Sequence, residues 1–258
     1  MRIEYFIIFI YIILTFSIQD RVRADDILQL YGSVNPRDYL TGRFNPSKHE
    51  LFGALSDLGI PTNKSRQYLR REAAEALQNM YAAFRREHPW IPFGVRSSAR
   101  NFYDQKQIWE GKWSGKIPVM GKRLNRIIKD PLKRAREIMK YSSMPGVSRH
   151  HWGTDFDLEV LTNTYYESGE GRLLYQWLAK NSRRYGFCQP YTFGRKNGYC
   201  EERWHWSYYP LAKHFLKGWN SLYKKDPAAF SEKGLFPGSS AAGHLAPLYM
   251  NAISHDCE

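Results

Sequence analysis

From Ser65 to Glu87 apolar side chains recur at Leu69, Ala73, Leu77, Met80, Tyr81 and Phe84, with charged residues between them. That spacing gathers them on one face and predicts a helix. His88-Pro89 ends it, because the residue before a proline avoids the helical region. Ile91 to Ser98 reads as a strand, and a polar helix start follows over Asn101 to Trp109. Asp130-Pro131 predicts a further helix, with the aspartate as cap and the proline in the first turn. Leu132, Ala135, Ile138 and Met139 form its buried face, and Met144-Pro145-Gly146 closes it with a loop.

At Thr154 the period shortens to two. Phe156, Leu158 and Val160 alternate with Asp155, Asp157 and Glu159 as far as Leu161, which predicts a strand with one acidic face. A helix over Glu170 to Tyr185 buries Leu173, Leu174, Trp177 and Leu178 and stops at Gly186. His205 to Tyr209 reads as a strand. Pro210 then opens a helix carrying Leu211, Phe215, Leu216, Trp219, Leu222 and Tyr223. Helices and strands interleave without a regular βαβ period and without internal repeats, so the expected class is α+β.

The 258 residues suffice for one domain of ordinary size, or two small ones. Arg2 precedes an apolar run from Phe6 to Ile18, and Val22-Arg23-Ala24 offers a small-residue cleavage site. The run falls short of the ~20 residues a membrane span needs. Residues 1–24 therefore read as a signal peptide, with an uncleaved anchor as the alternative because Gln19 to Arg23 is unusually charged. Residues 25–64 read as an N-terminal extension, 65–230 as the main domain and 231–258 as an irregular tail. The expected product is exported, periplasmic or wall-associated, with no stable membrane span after cleavage.

Loss of Arg2, Arg21 and Arg23 together with Glu4 and Asp20 takes the formal charge only from +13 to +12. Outside the cytoplasm such a chain is drawn to anionic cell-wall polymers or membrane surfaces. Nucleic acid is the other reading of basic charge, but Lys and Arg are spread along the chain rather than clustered. A solvated basic surface without a partner is the plainer alternative. In an oxidising compartment Cys188–Cys200 is the expected bridge, closing a short loop, with Cys257 either free or one of the bonded pair.

The chemistry gathers in two stretches, Ser148-Arg149-His150-His151-Trp152-Gly153-Thr154-Asp155-Phe156-Asp157 and Glu202-Arg203-Trp204-His205-Trp206. Two imidazoles and one carboxylate make the ligand set of an open catalytic zinc site. A free glutamate nearby takes a proton from the water such a site activates. The spacing suits a loop supplying His150, a turn at Gly153 and a strand supplying Asp157, with His205 on a neighbouring strand. Trp204 and Trp206 would face the core. Glu202 would sit at a turn or bulge, since in an ideal strand it would point away from His205. His151 and His214 are read as ordinary hydrogen-bonded or surface histidines.

Ser148 to Asp157 resembles the Ser-x-His-x-x-Gly-x-x-x-Asp signature of zinc D-alanyl-D-alanine carboxypeptidases, the family that includes vancomycin-resistance D,D-peptidases. Glu202-Arg203-Trp204-His205 is similar to its Glu-x-Trp-His segment. Arg100 to Gln105 resembles its upstream Arg-Ser-x-x-x-Gln element, with Asn101 in place of serine. The resemblance spans roughly residues 90–215 and implies a small central antiparallel sheet flanked by helices, as in hedgehog domains. It implies one zinc ion per chain on His150, Asp157 and His205, with Glu202 as general base. Arg100 would hold the substrate carbonyl or carboxylate, and Gln105 and Ser148 would line the pocket. Arg96 competes for the arginine role, but the five-residue spacing to Gln105 favours Arg100. Asp155 stands where the family carries a small residue, and is either a competing ligand or a partner of one. The implied substrate is a peptidoglycan stem peptide losing its terminal D-alanine. Alternatives are a cross-link endopeptidase, an L,D-carboxypeptidase, a non-catalytic zinc module and a secreted nuclease.

Overall fold

The structure is a computed structural model that describes residues 29–64 and 66–258. The expected signal peptide lies outside the described residues. In chain order the elements are α1 (Pro36–Thr41), β1 (Phe52–Ala54), β2 (Tyr68–Arg70), α2 (Arg71–Glu87), β3 (Val95–Ser97) and α3 (Phe102–Trp113). There follow α4 (Leu124–Ile127), α5 (Pro131–Ile138), β4 (Asp155–Leu158), α6 (Gly169–Asn181), β5 (Phe187–Cys188), β6 (His205–Tyr208) and α7 (Tyr209–Lys225). The tail adds α8 (Ala228–Ser231), α9 (Ser239–Ala242) and α10 (Ala246–Asn251). Four strands form an antiparallel sheet in the order β3-β4-β6-β5, and β1 and β2 form a separate antiparallel pair. The class is α+β, as the interleaving predicts.

Alternation in β4 and β6 gives the sheet two different faces. Phe156, Leu158 and Trp206 join Val95 and Phe187 in an aromatic-rich core. Against it α2 lays Ala73, Ala74, Leu77, Met80 and Phe84, all fully buried. Asp155, Asp157, His205 and Ser207 point to the opposite face. A second apolar cluster carries that side of the molecule, built from α1, α7 and the C-terminal segment around Trp152, Phe215 and Trp219.

Several elements depart from the sequence pattern, each for a non-local reason. The helix expected from Ser65 begins at Arg71, because Tyr68–Arg70 pairs as a strand with Phe52–Ala54. The strand expected to reach Leu161 stops at Leu158. Glu159 takes φ +47, exchanges hydrogen bonds with the Gly94 backbone, and turns Val160 and Leu161 outward to 40% and 49% exposure. Leu173, expected inside, is 43% exposed. The tail, expected to be irregular, carries the short helices α9 and α10 and buries Phe236, Ala246, Met250 and Cys257 in the same core as Trp219. The caps hold as predicted: Asp130 accepts from the Lys133 amide at 2.7 Å, and Gly186 stops the α6 region at φ +81.

The disulfide is a correction. Cys188 bonds to Cys257, and Cys200 is free. The tail explains it: the Ser254 amide and hydroxyl donate to the Pro190 and Gln189 carbonyls at 2.8 and 2.7 Å, which carries Cys257 alongside β5. Cys200 is held elsewhere, with its amide on the Lys140 carbonyl at 2.8 Å. Non-reducing peptide mapping should therefore recover a Cys188–Cys257 cross-linked pair and an alkylatable Cys200. Replacing Cys257 by serine should lower stability by ~2–5 kcal/mol in chemical denaturation.

Candidate active site

The site starts from a short helical turn, Arg149–Trp152, that ends in Gly153 at φ +71. A side chain there would clash with the Phe52 ring, so the position requires both the left-handed backbone and the missing Cβ. Neighbouring elements brace the turn. Tyr39 Oη donates to the Trp152 carbonyl at 3.0 Å, and Trp219 Nε1 donates to the Gly146 carbonyl at 3.0 Å. His151 is the hydrogen-bonded core histidine expected of it. It donates from Nδ1 to the Arg100 carbonyl at 2.7 Å and accepts the Gly146 amide on Nε2 at 3.0 Å. Burial holds it neutral, lowering its pKa to about 3.

Strand pairing then assembles the candidate ligands. β4 and β6 place Asp157 opposite His205 and Asp155 opposite Ser207. His150 arrives from the preceding turn with its ring centroid 4.8 Å from that of His205. One candidate ligand atom from each of His150, Asp157 and His205 lies within 4.8 Å of the others. His150 Nε2 is 3.3 Å from Asp157 Oδ2, and His205 Nδ1 is 3.1 Å from Asp157 Oδ1. A tetrahedral site with bonds of ~2.0–2.1 Å has edges of roughly 3.3 Å, so these separations suit one small cation. Asp157 Oδ1 is buried without a well-aligned hydrogen bond, as a ligand atom awaiting a metal would be. The donor set of two imidazoles and a carboxylate also fits zinc.

The far side of each imidazole is fixed as well. His150 donates from Nδ1 to the Ser98 carbonyl at 2.8 Å, leaving Nε2 for the metal. His205 turns Nε2 to Asp155 Oδ1 at 3.0 Å, leaving Nδ1. Asp155 therefore partners a candidate ligand and is not itself part of the candidate cluster. It also accepts from Arg149 Nε at 2.9 Å, Thr154 Oγ1 at 2.6 Å and Ser207 Oγ at 3.0 Å. Burial alone would raise its pKa, but Arg149 and His205 outweigh it and hold the carboxyl well below the usual range. Asp157 is likewise held low against the effect of burial, by His150 and His205.

Glu202 occupies the predicted turn before β6, closed by the His205 amide on the Glu202 carbonyl at 3.2 Å. Its carboxylate lies 3.6 Å from His205 Nδ1. Burial, countered by His205 and reinforced by Asp157, pushes it up to about 8. A cavity of about 460 Å³ opens onto Arg100, Gln105, His150, Asp157, Glu202 and His205. Arg100 Nη1 is 3.6 Å from Asp157 Oδ2 and donates to Ser97 Oγ at 2.6 Å, while its Nε is buried without a partner. Gln105 donates to the Ser143 carbonyl at 2.7 Å and keeps Oε1 unpartnered. Arg96 is exposed and off the cavity, which supports the choice of Arg100.

Ser148 departs from expectation. It is fully buried at the start of the His150 turn, with an unpartnered Oγ, and does not line the cavity. The turn that brings His150 to the metal face directs Ser148 into the protein. Asn101, by contrast, has a plain local role: it caps α3, accepting from the Asp104 amide at 2.8 Å in a reciprocal capping box. Sequence reasoning missed Tyr191, whose ring packs 4.7 Å from that of His205, and Lys112, a second cation on the cavity wall. Only Lys112 left a trace, two helical turns after Gln105 on the same face.

Two measurements probe the centre. Asp155→Asn should weaken zinc binding by ~10–100-fold in a chelator competition, because the partner orienting His205 loses its charge. The second concerns pH. Burial disfavours a charged His205, yet its pairing with the Asp155 and Asp157 carboxylates outweighs it and raises its pKa to about 9. Without metal, then, Nδ1 holds a proton at neutral pH that a metal must displace. Zinc affinity should fall by about tenfold for each unit of pH lowered from 8 to 6.

Comparison with known proteins gives this geometry a family. The profile of the VanY D-alanyl-D-alanine carboxypeptidase family matches residues 66–211. YodJ of Bacillus subtilis (strain 168), whose name designates a carboxypeptidase, is 26% identical over 183 residues. That match covers 68% of this chain and spans 58% of YodJ's length. Among solved structures, the LdcB LD-carboxypeptidase gives a TM-score of 0.49 at 21% identity, covering 72% of this chain and 76% of that one. VanYB in complex with D-alanine-D-alanine gives 0.46 at 19% identity, covering 65% and 88% respectively. With the family match extending over more than half of its residues, the chain belongs to the VanY D-alanyl-D-alanine carboxypeptidase family.

Proposed function

We propose that this protein is an exported zinc carboxypeptidase that removes the terminal D-alanine of peptidoglycan stem peptides. One observation carries the reading. A three-ligand cluster and a glutamate that belongs to no ligand pair share one cavity with an arginine whose Nε is unpartnered. A purely structural metal would need neither of the last two. His150, Asp157 and His205 would hold the ion, which when bound would acidify a water and polarise the scissile carbonyl.

The remaining steps belong to the chain's own residues. Glu202 accepts the proton and returns it to the leaving amine, a double role suited to a buried carboxyl whose pKa is raised above the usual range. Arg100, a cation on the cavity wall beside Asp157, would stabilise the developing oxyanion, an effect whose loss typically costs ~10²–10³ in rate. Gln105 stands on the same cavity wall, its amide held by the Ser143 carbonyl. Tyr191, Trp204 and Tyr199 wall the cavity with buried aromatic surface that limits water around the reacting groups.

Export is supported by the apolar run Phe6–Ile18 and by the Cys188–Cys257 bridge, since such bonds persist in oxidising compartments. No described helix is long and apolar enough to cross a membrane. The net charge of +13 suits a protein working beside anionic wall polymers.

Digestion of defined muropeptides, read by mass spectrometry, should show loss of one terminal D-alanine from pentapeptide stems. Loss from tetrapeptides instead would make it an L,D-enzyme, and opened cross-links an endopeptidase. Glu202→Gln should keep stoichiometric zinc and lose ~10²–10⁴ in kcat. Full activity in that variant, or after chelation of wild type, would sink the mechanism.

A further inference from the structure

We propose that Lys112 reads the free C-terminal carboxylate of the substrate, so that the cavity takes chain ends rather than internal peptide bonds. This rests on the peptidase reading above and assigns a residue to its specificity. α3 presents Gln105, Ile108 and Lys112 to the cavity from one face. Lys112 Nζ donates to Ser142 Oγ, which is itself on the cavity wall. A lysine that merely covered apolar surface would carry its ammonium out to water. Lys112 turns inward instead.

Its ammonium touches no carboxylate. Lys106, on the same helix, pairs with Glu110 at 3.3 Å, whereas Lys112 forms no ion pair among the described residues. Burial is the main reason its pKa falls, with Glu202 opposing and Arg100 adding to the effect. A half-buried cation facing a cavity without a paired carboxylate is a place where a bound anion restores the balance.

Arg100 is differently committed. Its contacts with Asp157 and Ser97 anchor it at the metal-ligand end, where it serves the scissile carbonyl. In a substrate losing one residue, the terminal carboxylate follows that carbonyl by a single residue, a Cα step of ~3.8 Å. Two cations with separate anchors in one cavity offer one partner to each of these two oxygen-bearing groups.

The test compares acetyl-Lys-D-Ala-D-Ala with its C-terminal amide on zinc-loaded wild type, Lys112→Met and Lys112→Arg. Wild type should favour the acid in kcat/KM by about 10–100-fold. The preference should collapse towards unity in Lys112→Met and return in Lys112→Arg. An undiminished preference in Lys112→Met, or equal rates on acid and amide in wild type, overturns the assignment and leaves the peptidase reading standing. Calorimetric binding of the same two peptides reads the preference without turnover. If wild type cleaves neither peptide, the peptidase reading fails, and the Lys112 assignment stands or falls on whether Lys112→Met abolishes acid-over-amide binding.

Discussion

Antiparallel pairing of β4 with β6 sets Asp157 opposite His205 and Asp155 opposite Ser207, on the sheet face turned away from the aromatic core. Two carboxylates and an imidazole are thereby forced into one buried strip, an arrangement that would be prohibitive without compensation. Arg149 supplies the opposing charge, and Thr154 and Ser207 fill the remaining lone pairs of Asp155. Asp155 in turn fixes which nitrogen His205 offers to the cavity. The ligand geometry is thus a consequence of strand register, and a slip of one residue would send every one of these groups into the opposite apolar layer.

Much of this was legible because it is local. The period-two stretch at Asp155 to Leu158 and the alternation Trp204-His205-Trp206 place the carboxylates and imidazole on one face without further information. The turn at Glu202 follows from parity, and the glycine at 153 from the sharp change of direction. What escaped depends on contacts between distant segments. Tyr68–Arg70 became a strand only because Phe52–Ala54 lies beside it. Cys188 found Cys257 because the tail is pinned at Gln189 and Pro190. Asp155 could be named as a carboxylate of open role, but its role follows from Arg149, which is buried beneath it at 1% exposure and looks from sequence like any surface arginine.

The N-terminal extension and the tail take part in the same logic. Both were expected to lie outside the catalytic unit, yet each fastens the turn that carries His150 or the strand beside it. The Gly42 carbonyl accepts the Phe102 amide at 2.7 Å, where α3 begins. Tyr39 of the extension holds the Trp152 end of the His150 turn, and the tail holds β5 through Ser254 and the Cys188–Cys257 bridge. Such bracing limits the rearrangement a metal or substrate would demand, which is how rigid elements keep reactive groups within reach of one another.

Charge balance ties these parts to the proposed reaction. Without metal, the His205 proton sits between Asp155 and Asp157 and offsets much of their charge, while Glu202, buried beside Asp157, holds its own proton up to about pH 8. A divalent cation on the three ligands would displace the His205 proton and leave the centre one charge more positive. That change favours an ionised Glu202, so occupation of the metal site would itself prepare the base. It would also deepen the positive potential that Arg100 and Lys112 already create along the cavity. On this reading, metal binding and recognition of an anionic chain end are coupled through the field of the site, with no movement of the backbone required.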